Sequence, residues 1–162
     1  GLKYQKPDQD NYYTQFGMEC LDAIVHEFEN RIWAEKEIQE KGKAFKTRFG
    51  MGLGFESLND TVIKLSQKMG YAIVIRKDPR KGYVRIKVRQ ERANQESREK
   101  DNTSSQKIDL TPVYEKLKEL DPKATWFLHV SKKMLLNGTP KNPKMVPTTL
   151  TLDEIIKVVE KI

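Results

Sequence analysis

GYAIVIRKDPRKGYVRIKVR, residues 70–89, decides the fold. YAIVIR, 71–76, is dense in β-branched residues and reads as a buried strand. KDPRKG places Pro79 and Gly82 for a turn. In GYVRIKVR, 82–89, Tyr83 or Val84 alternates against Arg85, Lys87 and Arg89, the period of a second strand. A hairpin is therefore predicted, and the sheet that contains it is at least partly antiparallel.

Upstream, Ser57 with Asp60 three positions on is an N-cap signal. Val62, Ile63, Leu65 and Met69 line one face of the helix that follows, and Gly70 ends it where positive φ costs little. In FKTRFGMGLGFESLND, 45–60, Phe45, Thr47, Phe49, Met51 and Leu53 alternate as in one half-buried strand, weakened by its glycines. GMGLG lacks the preceding strand and the full spacing of a dinucleotide-binding loop. From about Tyr12 to Lys43, Leu21, Ile24, Val25, Phe28, Ile32 and Trp33 recur at steps of three and four, predicting a long amphipathic helix.

Downstream, QERANQESREKDNTSSQK, 90–107, has no aromatic or large aliphatic residue and reads as a mobile loop. Thr111 and Pro112 open a helix over 112–120, with Val113, Tyr114, Leu117 and Leu120 on its buried face. ATWFLHV, 124–130, is a strand; SKKMLLNG, 131–138, is either its continuation or one helical turn capped by Ser131. A capping box, Thr151 with Glu154, starts the last helix. The alternation gives an α/β fold: a mixed central sheet with flanking helices over 46–162, preceded by a linker-type helix within 1–45.

Composition narrows the function classes. In 162 residues Lys and Arg exceed Asp and Glu by 30 to 23, a formal charge of +7, which favours anionic partners such as nucleic acid or nucleotide phosphates. The single cysteine fits a reducing, cytoplasmic setting, and no apolar run is long enough for a membrane span. Two histidines and one cysteine do not make a spaced metal-ligand set. The chain opens on Gly rather than Met, as a piece of a longer protein would.

Ligands of α/β sheets collect at the carboxyl ends of strands. There His129, Ser131, Lys132, Lys133, Asn137 and Gly138 supply donors or close backbone approach for a phosphate. Arg85 and Arg89 on the basic hairpin add charge. The alternatives are a basic protein-interaction or structural domain, whose sign would be an exposed apolar patch on helix 12–43, and a small enzyme pairing Cys20 with His129.

The order GYAIVIRKDPRKGYVRIKVR, IDLTPVYEKL, FLHVSKKMLLNG resembles the C-terminal DHH-associated domain of DHH-family phosphoesterases, the group of RecJ-like nucleases and oligoribonucleotide phosphodiesterases. The resemblance implies a substrate-binding accessory domain. Arg85 or Arg89 would match the family's arginine, Ile108–Leu110 its helix lead, and His129–Gly138 its glycine-histidine segment. It also implies that manganese belongs to a catalytic domain outside this chain, since no Asp-His-His occurs here. The N-terminal helix would be the interdomain linker and is a candidate dimerisation surface.

Overall fold

The computed structural model describes residues 7–90, 108–139 and 141–162. Apart from Gln90, the expected mobile loop lies outside these residues. Six strands form one mixed sheet in the order β1-β2-β3-β4-β6-β5: β1 Lys43–Thr47, β2 Gly50–Glu56, β3 Ile73–Lys77, β4 Val84–Val88, β5 Trp126–Leu128 and β6 Met134–Asn137. Only β2 and β3 run parallel; every other pair is antiparallel. Four helices accompany the sheet: α1 Pro7–Lys41, α2 Thr61–Lys68, α3 Thr111–Leu120 and α4 Leu152–Val159. The predicted fold class, hairpin included, is the observed one.

The sheet has two unequal faces. On one, Ile73, Ile75, Val84, Ile86, Val88 and Leu135 pack against Leu110, Val113 and Leu117 around α3 and against Ile155 and Val159 of α4. On the other, Leu53, Phe55 and Val74 pack against Val62, Ile63 and Leu65 near α2 and against Ala34 and Ile38 of α1. Helices thus cover the second face only over β2 and β3. Its other half, over β4, β6 and β5, carries no helix among the described residues.

Three expectations need correction. The period-two run 45–53 is not one strand: it breaks at the Arg48–Phe49 turn and returns from Gly50, whose φ of +121° suits glycine, as the second strand of an antiparallel hairpin. Ser57 does not cap α2, because its hydroxyl donates to Glu37 of α1 and accepts from Asn59 N; the helix begins after Asp60, and Thr61 N donates to Asn59 Oδ1. SKKMLLNG neither continues β5 nor makes a helical turn. The chain reverses at 129–132, with Lys132 N donating to His129 O and Lys132 at φ +57°, and comes back as β6. The capping box of α4 is present as expected: Glu154 N donates to Thr151 Oγ1 and Thr151 N to Glu154 Oε2.

α1 departs most from an ordinary surface helix. Its buried contacts are confined to Ala34 and Ile38, while ten large apolar side chains between Tyr12 and Trp33 stand 52–67% exposed. Cys20 is exposed on the same helix. No described helix is long and apolar enough to cross a membrane.

Candidate functional site

Strand alternation builds the half-face that carries no helix among the described residues. Val84, Ile86 and Val88 are buried toward α3 and α4, so Tyr83, Arg85, Lys87 and Arg89 turn the other way. Across the sheet Arg85 lies opposite Leu136 and Lys87 opposite Met134, and Leu136 in turn opposes Phe127. His129 N donates to Met134 O at 2.9 Å, which continues the second row. The result is two rows, Arg85–Leu136–Phe127 and Lys87–Met134–His129, basic at β4 and aromatic at β5. Phe127 is 49% exposed, far more than its neighbour Trp126 at 7% on the core face.

The guanidinium end is anchored. Asp60, at the start of α2, takes Arg76 Nε at 3.1 Å and Arg85 Nη1 at 3.1 Å. One carboxylate facing two guanidiniums leaves a net positive charge, and Arg85 Nε is buried with no acceptor among the described residues. Arg89 Nη1 donates to Gly70 O at 3.1 Å, steadying the end of β4. Lys87, half-buried on the same strand, makes no ion pair with a described residue.

At the other end the turn fixes the imidazole. Ser131 N donates to His129 Nδ1 at 3.2 Å, and Ser131 Oγ lies 2.8 Å from the same nitrogen. Ser131 Oγ also accepts from Lys133 N at 3.3 Å. Because a backbone N–H can only donate, Nδ1 is the acceptor nitrogen and the neutral ring carries its proton on Nε2, which has no acceptor among the described residues.

The structure therefore unites Arg85, Arg89 and His129 on one surface, with Ser131 holding the imidazole, and separates the remaining expected residues. The ammonium of Lys132 turns away to Asp109 Oδ2 at 3.4 Å, beside a cleft of about 630 Å³ lined also by Arg48, Thr111 and Lys161. Hydrogen bonding from Thr111 Oγ1, opposed by partial desolvation and reinforced by Thr111 N and Lys132, holds the Asp109 carboxyl below the usual range. The anion position at the start of α3 is thus filled by the chain's own carboxylate. Lys133 contributes its backbone: its N–H to Ser131 and its carbonyl to Val88 N at 2.9 Å.

Asn137 and Gly138 are corrections. Asn137 is fully buried on the core face, where Nδ2 donates to Thr125 O and Val146 O and Oδ1 accepts from Thr148 N. All its hydrogen-bonding capacity toward a ligand is spent inside the protein. Gly138, at φ +76°, lies beneath the Tyr83 ring, where any Cβ would collide with the aromatic carbons. It serves packing rather than ligand approach. Phe127, Leu136 and Met134 also belong to the face, and the apolar runs that contain them carry no local signal of it.

Cys20 is exposed on α1, and the described hydrogen bonds of the His129 ring are to Ser131 alone. No group of three or more His, Cys, Asp or Glu placed to hold a metal occurs among the described residues. Comparison of the chain with protein-family models, with curated proteins and with solved structures gives no match.

Proposed function

We propose that the open sheet face binds single-stranded nucleic acid or a nucleotide, with phosphates on Arg85, Lys87 and Arg89 and a base stacked on Phe127. The observation that carries the reading is an uncovered sheet half whose basic strand and exposed aromatic lie two strand spacings apart, about 10 Å. Exposed aromatic rings on a sheet give sequence-tolerant stacking, and cationic side chains beside them track the backbone. The His129 Nε2–H adds a directional donor for a phosphate oxygen or a base edge. The formal charge of +7 supports approach of such a ligand.

The motif order that resembles the DHH-associated domain supports the same chemistry. In that reading the face is the substrate grip of a phosphoesterase, and manganese and hydrolysis belong to a catalytic domain outside residues 1–162. The grip would act by positioning. Arg85 is oriented by Asp60 and His129 by Ser131, so both meet a ligand with little rotamer entropy left to lose.

Fluorescence anisotropy with a labelled single-stranded oligonucleotide, repeated across salt concentration, tests this. Binding should weaken with salt, and Lys87→Ala should lower the slope of log K against log salt by about 0.7. Phe127→Ala should cost about 1–3 kcal/mol with the slope unchanged. Absence of binding at low salt, or affinity indifferent to both substitutions, rejects the face as the site. A second reading, a protein-interaction module, is favoured by the exposed apolar stripe of α1.

A further inference from the structure

The arm of α1 cannot be free in water as it stands. Residues 8–29 are all exposed, a stretch of about 33 Å at 1.5 Å per residue, of which Ala23, Ile24, Glu27 and Phe28 border a groove against α2. A helix held by packing at one end only, with large apolar side chains along its length, needs a covering surface.

The spacing says which surface. Met18, Leu21, Val25, Phe28 and Ile32 follow one another at steps of 3, 4, 3 and 4, the a/d seam of a heptad repeat, and each is 54–65% exposed. The seam lies opposite Ala34 and Ile38, the side chains that dock α1 on the body. The β-branched Val25 and Ile32 fall at a positions and Leu21 at d, the arrangement that favours two parallel strands. We infer that α1 pairs with α1 of a second copy of this chain as a parallel, two-stranded coiled coil.

Charge selects the direction. In a parallel pair the e-position acids Asp22 and Glu29 face Gly17 and Ile24 of the other copy, neither of which is charged. An antiparallel pair would instead set Asp22 against Glu29 across the seam. Arg31 faces Lys36 of the other copy in the parallel pair, but each already has a partner on its own helix: Glu35 at 3.7 Å and Glu40 at 3.9 Å.

The area suffices as well. Six large apolar residues, the seam plus Ile24, each more than half exposed, present on the order of 600 Å² per chain, or ~1,200 Å² for a pair, the lower range of stable interfaces.

Sedimentation velocity on the full chain is the test, at loadings from low to high micromolar. The expected species has twice the 18.9 kDa chain mass. Met18→Glu/Val25→Glu should sediment as a monomer with an unchanged near-ultraviolet circular dichroism spectrum, since neither residue lines the groove between α1 and α2. In a Cys20→Ser background, Leu21→Cys should form an interchain disulfide on mild oxidation, because only a parallel, in-register pair sets residue 21 against itself. A monomer at every loading, or a dimer that survives the double substitution, overturns the proposal. A dimer in which Leu21→Cys fails to cross-link overturns the parallel arrangement.

Discussion

Replacing Asn137 by Ala removes three hydrogen bonds at once: Nδ2 to Thr125 O at 2.9 Å, Nδ2 to Val146 O at 3.1 Å, and Thr148 N to Oδ1 at 2.7 Å. A net loss of about 1 kcal/mol per bond gives ~3 kcal/mol, with more added because Thr148 N loses its acceptor, while Val146 O keeps the Thr125 N–H at 3.0 Å. For a chain of this size that lowers the melting temperature by about 6–12 °C. Trp126 lies opposite Asn137 in the β5–β6 register and is buried, so its fluorescence in urea reports the transition directly, against a steady background from exposed Trp33. Asn137→Asp sharpens the test. At neutral pH its carboxylate would face two carbonyl oxygens without a proton to share, a worse situation than alanine. As pH falls and the acid protonates, one O–H donor returns and stability should recover. Oligonucleotide affinity of the folded protein should be unchanged in both variants. A loss below about 1 kcal/mol accompanied by a large drop in affinity would refute the argument that Asn137 is an internal clip rather than a ligand contact.

Gly138→Ala should destabilise by about 2–3 kcal/mol, the strain of a positive φ plus displacement of the Tyr83 ring, read as a lower urea midpoint. Asp121 accepts from Thr148 Oγ1 at 2.7 Å and Thr149 N at 2.9 Å, and these bonds, the Thr148 hydroxyl foremost, hold its carboxyl below the ordinary aspartate value. With the folded value depressed, the stability it contributes is complete above the unfolded value, about pH 4, and is lost as pH falls through the lower folded one. Asp121→Asn should therefore be less stable than wild type at neutral pH, with the gap closing in acid unfolding curves. Ser131→Ala should weaken oligonucleotide binding about tenfold or less through loss of imidazole orientation, with the salt slope unaltered, as anisotropy can show.

What could be read from the chain was what local chemistry decides. The β-branched density of 73–75, the alternation of 84–88 and the Thr151–Glu154 box each act within a few residues, and each formed where expected. The departures are non-local or conceal their turn. Ser57 carries a helix-cap pattern, yet Glu37, twenty residues upstream, takes its hydroxyl. The reversal at 129–132 contains no Gly, Pro or Asn; Lys132 adopts the left-handed conformation there because the flanking strands and Leu110 N, which donates to Lys132 O, hold the loop. Asn137-Gly138 looks like a surface turn, but carbonyls from 125 and 146 reach it only after folding. At the site, the basic residues of β4 were visible as charge alternation. Phe127 was hidden inside an apolar run, because nothing local shows that β5 ends the sheet with one side uncovered.

The central claim is that ligand contacts lie on the β4–β6–β5 face. Backbone amide chemical shifts, followed while a short single-stranded oligonucleotide is titrated into the protein, test it most directly. The account predicts perturbations concentrated at Arg85, Lys87, Phe127, His129, Met134 and Leu136, with Val113 and Leu117 of α3 silent. Shifts gathered instead around Lys132, Arg48 and Lys161, or none at saturating oligonucleotide, would contradict it.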